Sequence, residues 1–193
     1  MAQFIGNVPV GISNRHLHLS QEDLETLFGE GYQLTPVKDL SQTGQFAAEE
    51  QVTIVTKKNA LQNVRVLGPL RRKTQVEISR TDAFTLGLKP PVRDSGSTEN
   101  SEAITLVGPK GSIFLENVVI IALRHIHMTP KDAETFGVKD KDIVKVKTKG
   151  ERGLTFDNVI IRVRHDFVLE LHIDTDEANA ACLSNGQLVE VYK

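Results

Sequence analysis

Arg15-His16-Leu17-His18-Leu19-Ser20 returns later in the chain as Arg124-His125-Ile126-His127-Met128-Thr129. These two stretches hold four of the six histidines. In an extended strand, alternate side chains share a face. Each His-x-His therefore sets two imidazoles side by side, with Leu17 and Leu19, or Ile126 and Met128, on the opposite face. Two imidazoles projecting together are half of a metal site. The agreement continues outward. Ser20 with Asp23, and Thr129 with Asp132, both read as a hydroxyl N-cap with an acid at N3. Pro130 at N1 strengthens the second start. Glu25-Thr26 answers Glu134-Thr135, and Phe28-Gly29 answers Phe136-Gly137 after a one-residue slip. Strand, short helix and glycine stop thus occur twice, and the chain reads as two related halves.

A fainter pair of segments supplies a third ligand to each half. Asn63-Val64 and Asn158-Val159 each open a strand-rich stretch, and fourteen positions on stand Glu77 and His172. Val76-Glu77-Ile78 before Thr81-Asp82-Ala83 parallels Leu171-His172-Ile173 before Asp176-Glu177-Ala178. Both residues lie on the polar parity of an alternating strand. The ligand sets are then His16, His18 and Glu77 in one half and His125, His127 and His172 in the other. Three protein ligands leave a coordination position open, the pattern of a catalytic rather than a structural site. His165 falls on the apolar parity with Ile161 and Val163 and reads as structural or exposed.

The bulk properties narrow the class. A chain of 193 residues holds one domain or two small ones, and the repeat favours two, divided as 1–110 and 111–193 with strands open to exchange between the halves. A net charge of −2 argues against nucleic acid as a partner. A single cysteine, Cys182, excludes an internal disulfide; with no leader or apolar span to read, the expectation is a cytoplasmic protein that does not engage a membrane. Strand signals dominate: 8–19, 51–56, 64–67, 75–79, 104–107, 118–128, 143–147, 159–163, 168–173 and 188–192 are β-branched or alternating. Helices are few and short, at 21–28 and 130–136, with a third at 175–182 opened by Asp174 or Thr175. Strands this short and numerous predict a mainly β protein built of small barrels. Residues 89–100 are rich in turn formers and read as a linker or as a loop over a site.

Cations gather near the first ligand set. Arg71 lies six residues before Glu77, and Lys57, Lys58 and Arg65 share its half. A guanidinium beside a metal suits phosphate, which it binds through two oxygens. No glycine cradle of the nucleotide-binding kinds is present. Nothing near Cys182 proposes it as a nucleophile, so the chemistry rests on metals, with a transferase, a hydrolase and a non-catalytic metal-binding barrel all open at this point.

Several long stretches resemble the PduL-type phosphate propanoyltransferases: 11–20, 71–77, 92–96, 124–128 and 171–179, a match running through the chain from Val8. The resemblance implies two small β-barrel domains with short capping helices, related by an internal, permuted duplication. It implies two divalent metals, usually zinc, on the two ligand sets already described, and the exchange of an acyl group between coenzyme A and phosphate. The substrates would be acetyl-CoA or propanoyl-CoA, inorganic phosphate and the acyl phosphate. By the same resemblance Arg71 binds phosphate and Ser95 lies in a loop near the reacting groups. Ile12, Ser13, Asn14, Arg65, Lys57 or Lys58, and Asn179 would contact coenzyme A. Members housed in bacterial microcompartments carry an N-terminal extension, and Val8 lies close to the start of this chain; the expectation is a free cytoplasmic enzyme. A homodimer is compatible with barrels this small.

Overall fold

The computed structural model describes residues 2–193. In chain order the elements are β1 (Phe4–Ser13), β2 (His16–His18), α1 (Gln21–Phe28), β3 (Pro36–Asp39), β4 (Phe46–Val55), β5 (Ala60–Gly68), β6 (Gln75–Glu77), α2 (Arg80–Leu86) and β7 (Val92–Arg93). There follow β8 (Glu102–Val107), β9 (Ser112–Ala122), β10 (His125–Met128), α3 (Pro130–Phe136), β11 (Ile143–Lys147), β12 (Thr155–Val163), β13 (Glu170–Asp174), α4 (Thr175–Ala181) and β14 (Leu188–Tyr192). The protein is mainly β, as the short alternating runs predict.

Two compact units result. The first comprises Asn14–Leu40 and Gly44–Ala122; the second comprises the chain up to Ser13, Ser41–Thr43 and Leu123–Lys193. The chain passes from one unit to the other at 13/14, 40/41, 43/44 and 122/123. The second unit is a closed barrel of order β1-β13-β10-β12-β11-β14. In the first, β4-β5-β2-β6-β9 is closed by β8, which pairs with both β4 and β9; β3 and β7 are appended. Both are six-stranded rings with the same pairing directions. β2 is parallel to β5 and antiparallel to β6, as β10 is parallel to β12 and antiparallel to β13. β6 lies parallel to β9, as β13 lies parallel to β1. The strand before each His-x-His therefore belongs to the other unit's ring. Sequence alternation alone reads 8–19 and 118–128 as single strands; each is broken just before its motif, at 14–15 and at 123–124.

Each ring closes around its own apolar core. Ile126, Met128 and Leu171 are fully buried in the second unit, and Leu17, Leu19 and Val76 in the first. Burial of one such side chain stabilises by about 1.5–3 kcal/mol. The alternation that sends these residues inward turns the histidines to the other face. The local repeats are equally close. Ser20 and Thr129 cap α1 and α3 with the same backbone angles, φ −75° and ψ 164°, and each accepts from the backbone N–H of its N3 aspartate. Asn63 and Asn158 both sit at φ 57°, inside β5 and β12 rather than at their starts. Asparagine tolerates the left-handed region better than most residues, and such a residue inside a strand marks a bulge. Sequence reading misses α2, although Ser79 and Asp82 form its capping box. Asp174 is the cap of α4, settling the choice between it and Thr175.

Candidate functional site

In the second unit, antiparallel pairing of β10 and β13 sets His125 opposite His172 and His127 opposite Glu170. One ring nitrogen from each of His125, His127 and His172 lies within 4.8 Å of the others. Among the described residues this is the one set of three histidine, cysteine or carboxylate groups that converges so closely. His125 donates from Nδ1 to the Leu123 carbonyl at 2.7 Å, which directs Nε2 away from the backbone. The rings of His125 and His172 are stacked, 5.0 Å apart and 4° from parallel. His127 packs against Phe167 at 3.9 Å between centroids.

His127 decides what this cluster is suited to. Both its nitrogens are buried and neither has a hydrogen-bond partner within the protein. Burial first, then the neighbouring His172, His125, Arg162 and Arg164, depresses its pKa to about 2, so the imidazole is neutral at ordinary pH. A buried polar atom left without a partner is costly. A divalent cation accepts the lone pair of a neutral imidazole, so the bare nitrogens of His127, converging with ring nitrogens of His125 and His172, fit a metal of the zinc class.

The first unit repeats the register. His16 lies opposite Glu77, Leu17 opposite Val76, and His18 opposite Gln75. His16 donates from Nδ1 to the Asn14 carbonyl at 2.8 Å, two residues upstream as in His125. Its Nε2 lies 3.6 Å from Glu77 Oε2. His18 Nδ1 is buried without a hydrogen-bond partner. Burial, followed by the charges of Arg71 and His16, lowers the His18 pKa to about 3. Burial opposes ionisation of Glu77, but His16, Ser95, His18 and Arg71 outweigh it and hold its pKa down at about 2. Glu77 is thus a carboxylate and His18 a neutral base, both in the state a cation requires.

Arg71 and Ser95 join this set through hydrogen bonds. Arg71 Nη1 donates to Ser95 Oγ at 3.2 Å, and Ser95 Oγ donates to Glu77 Oε1 at 2.8 Å. Gln75 Nε2 donates to Ser95 Oγ at 3.0 Å and to Glu77 Oε1 at 2.5 Å, while its Oε1 accepts from the Gly96 N–H at 2.7 Å. The turn-rich stretch at 89–100 is therefore a loop pinned beside the ligand set. The other cations are placed differently. Arg65 donates to the Ala48 and Glu49 carbonyls, and Lys58 to the Phe84 carbonyl at 2.7 Å. Lys57 and Asn14 are exposed. In the second unit the Ile12 N–H donates to Asn185 at 2.7 Å, Ser13 is half-buried and Asn179 is exposed on α4. His165 is exposed.

Two matched ion pairs escape the sequence reading. Arg15, just before His16, binds Asp82 through Nε at 2.9 Å and Nη2 at 2.7 Å. Arg124, just before His125, binds Glu177 through Nε at 2.6 Å. Asp82 and Glu177 are the N3 residues of α2 and α4, the helices that follow Glu77 and His172. Each arginine therefore ties the start of the His-x-His strand to the helix behind the third ligand. The signal was present: both motifs begin with arginine, and both third ligands precede a hydroxyl or acidic cap with an acid at N3.

A family model described as phosphate propanoyltransferase matches residues 9–184. The chain belongs to the phosphate propanoyltransferase family. Membership makes it an acyltransferase, in agreement with the resemblance read from its motifs. A phosphate propanoyltransferase of Thermotoga maritima is 67% identical over 183 residues, covering 94% of this chain and 87% of the relative. One of Lachnoclostridium phytofermentans is 58% identical, with 95% and 86% covered, and one of Priestia megaterium is 59% identical, with 93% and 82% covered. No helix among the described residues is long and apolar enough to cross a membrane.

Proposed function

We propose that this protein interconverts a short-chain acyl-CoA and phosphate with the acyl phosphate and coenzyme A, propanoyl being the first acyl group to test and acetyl the second. Membership of the family across residues 9–184 carries this reading. The convergence of His125, His127 and His172 supports its dependence on metal. His16, His18 and Glu77 would hold one divalent ion and His125, His127 and His172 another, with zinc best matched to imidazole and carboxylate. Bound there, the ions would supply charge neutralisation to phosphate and favour the thiolate form of coenzyme A.

The protein's own groups do the positioning. A phosphate oxygen attacks the thioester carbonyl, the tetrahedral oxyanion collapses, and the C–S bond breaks to release the thiolate. Arg71 holds the phosphate through two oxygens and sets its direction of attack. Ser95, bonded to both Arg71 and Glu77, keeps the guanidinium registered to the ligand set. No acyl-enzyme is required, because phosphate itself attacks the thioester. For coenzyme A the proposed contacts are Ile12, Ser13, Asn14, Arg65, Lys57 or Lys58, and Asn179.

The test is thiol release from propanoyl-CoA and acetyl-CoA, with and without phosphate, before and after chelation. Release that requires both phosphate and metal is expected. Release without phosphate would mean a thioesterase on the same scaffold. No release from metal-loaded protein would leave a non-catalytic metal-binding barrel.

A further inference from the structure

The ligand-bearing face of each unit has four corners, not three. In the first unit they are His16, His18, Glu77 and Gln75; in the second they are His125, His127, His172 and Glu170. The carboxylate has changed places. Where the first unit has an acid opposite its first histidine, the second has His172, and its acid lies opposite the second histidine. Each face thus carries one carboxylate beside its imidazoles.

Glu170 is held in a way that its sheet position alone does not require. Its Oε2 lies 3.0 Å from His172 Nε2. Ser41 donates its hydroxyl to the same oxygen. The next residue, Gln42, anchors this segment: its Nε2 donates to the Val168 carbonyl at 3.0 Å, its Oε1 accepts from the Val168 N–H at 3.1 Å, and Nε2 also lies 3.4 Å from His172 Nε2. Gly11 is paired in register with His172 across β1 and β13. A Cβ built on Gly11 would lie 2.6 Å from the carboxyl carbon of Glu170 and 2.7 Å from Oε2. Any side chain at position 11 would displace the carboxylate from His172, so glycine there leaves it room.

We propose that Glu170 is the positioning carboxylate of the second unit's metal centre, acting through His172, with Ser41 and the space over Gly11 holding it in place. The inference rests on the metal reading above. A carboxylate on one nitrogen of an imidazole fixes the tautomer and ring orientation and raises the basicity of the ligand. It also sets a negative charge next to the dication. In the first unit Glu77 itself supplies the charge and the Asn14 carbonyl orients His16, while Gln75 binds Glu77, Ser95 and Gly96.

The test is zinc binding by the intact, chelator-stripped protein, followed by competition with a chromophoric chelator. Cobalt(II) absorption serves as a second readout. In Glu170→Gln one of two sites should weaken by about 10–100-fold, with altered cobalt bands, while the other keeps its affinity. Ser41→Ala should weaken the same site by a smaller factor. His172→Ala should abolish that site, which identifies it. The urea midpoint of each stripped variant controls for folding; should Glu170→Gln fail to fold, Ser41→Ala carries the same expectation. Wild-type affinity and spectrum in Glu170→Gln, with the site lost in His172→Ala, would overturn the role of Glu170 alone. Two intact sites in His172→Ala would overturn the metal reading and this role with it.

Discussion

Replacing His127 by leucine should stabilise the metal-free protein while removing the second unit's share of its response to zinc. Both nitrogens of His127 are buried and lack partners within the protein. A neutral imidazole has one donor and one acceptor, and each buried unsatisfied group costs about 1–3 kcal/mol. Leucine removes both groups, recovering on the order of 2–4 kcal/mol at the low end of that scale. It also gives up the ring contact with Phe167 at 3.9 Å, worth about 0.5–1.5 kcal/mol. The net expectation is about 1–3 kcal/mol of added stability in the stripped protein. Zinc reverses the order. A ligand at about 100 times its Kd adds about 2.7 kcal/mol per site to the wild type, and the variant forgoes this at the second unit. Urea unfolding of both proteins, with chelator and with zinc, would give crossing stabilities. A stripped variant less stable than the stripped wild type would refute the orphaned-nitrogen reasoning. An equal response to zinc in both would refute His127 as a ligand.

Three other predictions follow from the same geometry. Arg71→Ala should lower kcat/KM for phosphate by about 10–100-fold, the loss of one charge-assisted contact, with zinc content unchanged on elemental analysis; wild-type kinetics would remove it from the phosphate site. His18 and His127 have pKa values lowered from 6.5 to about 3 and about 2. Below pH 6.5 the unfolded chain takes up protons that the folded one refuses, so the stripped protein should lose about 2 kcal/mol per histidine between pH 7 and 5. His127→Leu should remove half of that loss in urea titrations at the two pH values, and a pH-independent midpoint in the wild type would contradict the depressed values. Asn158 stands at φ 57°, so Asn158→Ala should cost about 1 kcal/mol and Asn158→Gly almost nothing, measured by thermal unfolding; equal costs would remove backbone strain as the reason for asparagine there.

The sequence by itself determined the local content of this protein. Alternation placed Leu17, Ile126 and Leu171 on core faces and the histidines opposite them, because a strand's period of two leaves no other assignment. Hydroxyl caps with acids at N3 located α1 and α3, and the Asp174-Thr175 start located α4. The repeat paired Glu77 with His172 as corresponding residues. Only the tertiary structure decided how those pieces are shared out. The breaks at 14–15 and 123–124 give β1 and β9 to rings other than those of the motifs they precede, and no periodicity within a strand records which ring it will join. Glu170, Ser41 and Gly11 come together across 129 and 159 positions of chain. So do Arg15 and Asp82, 67 apart. Such contacts depend on strand register, which is fixed by pairing between distant segments rather than by the composition of either one.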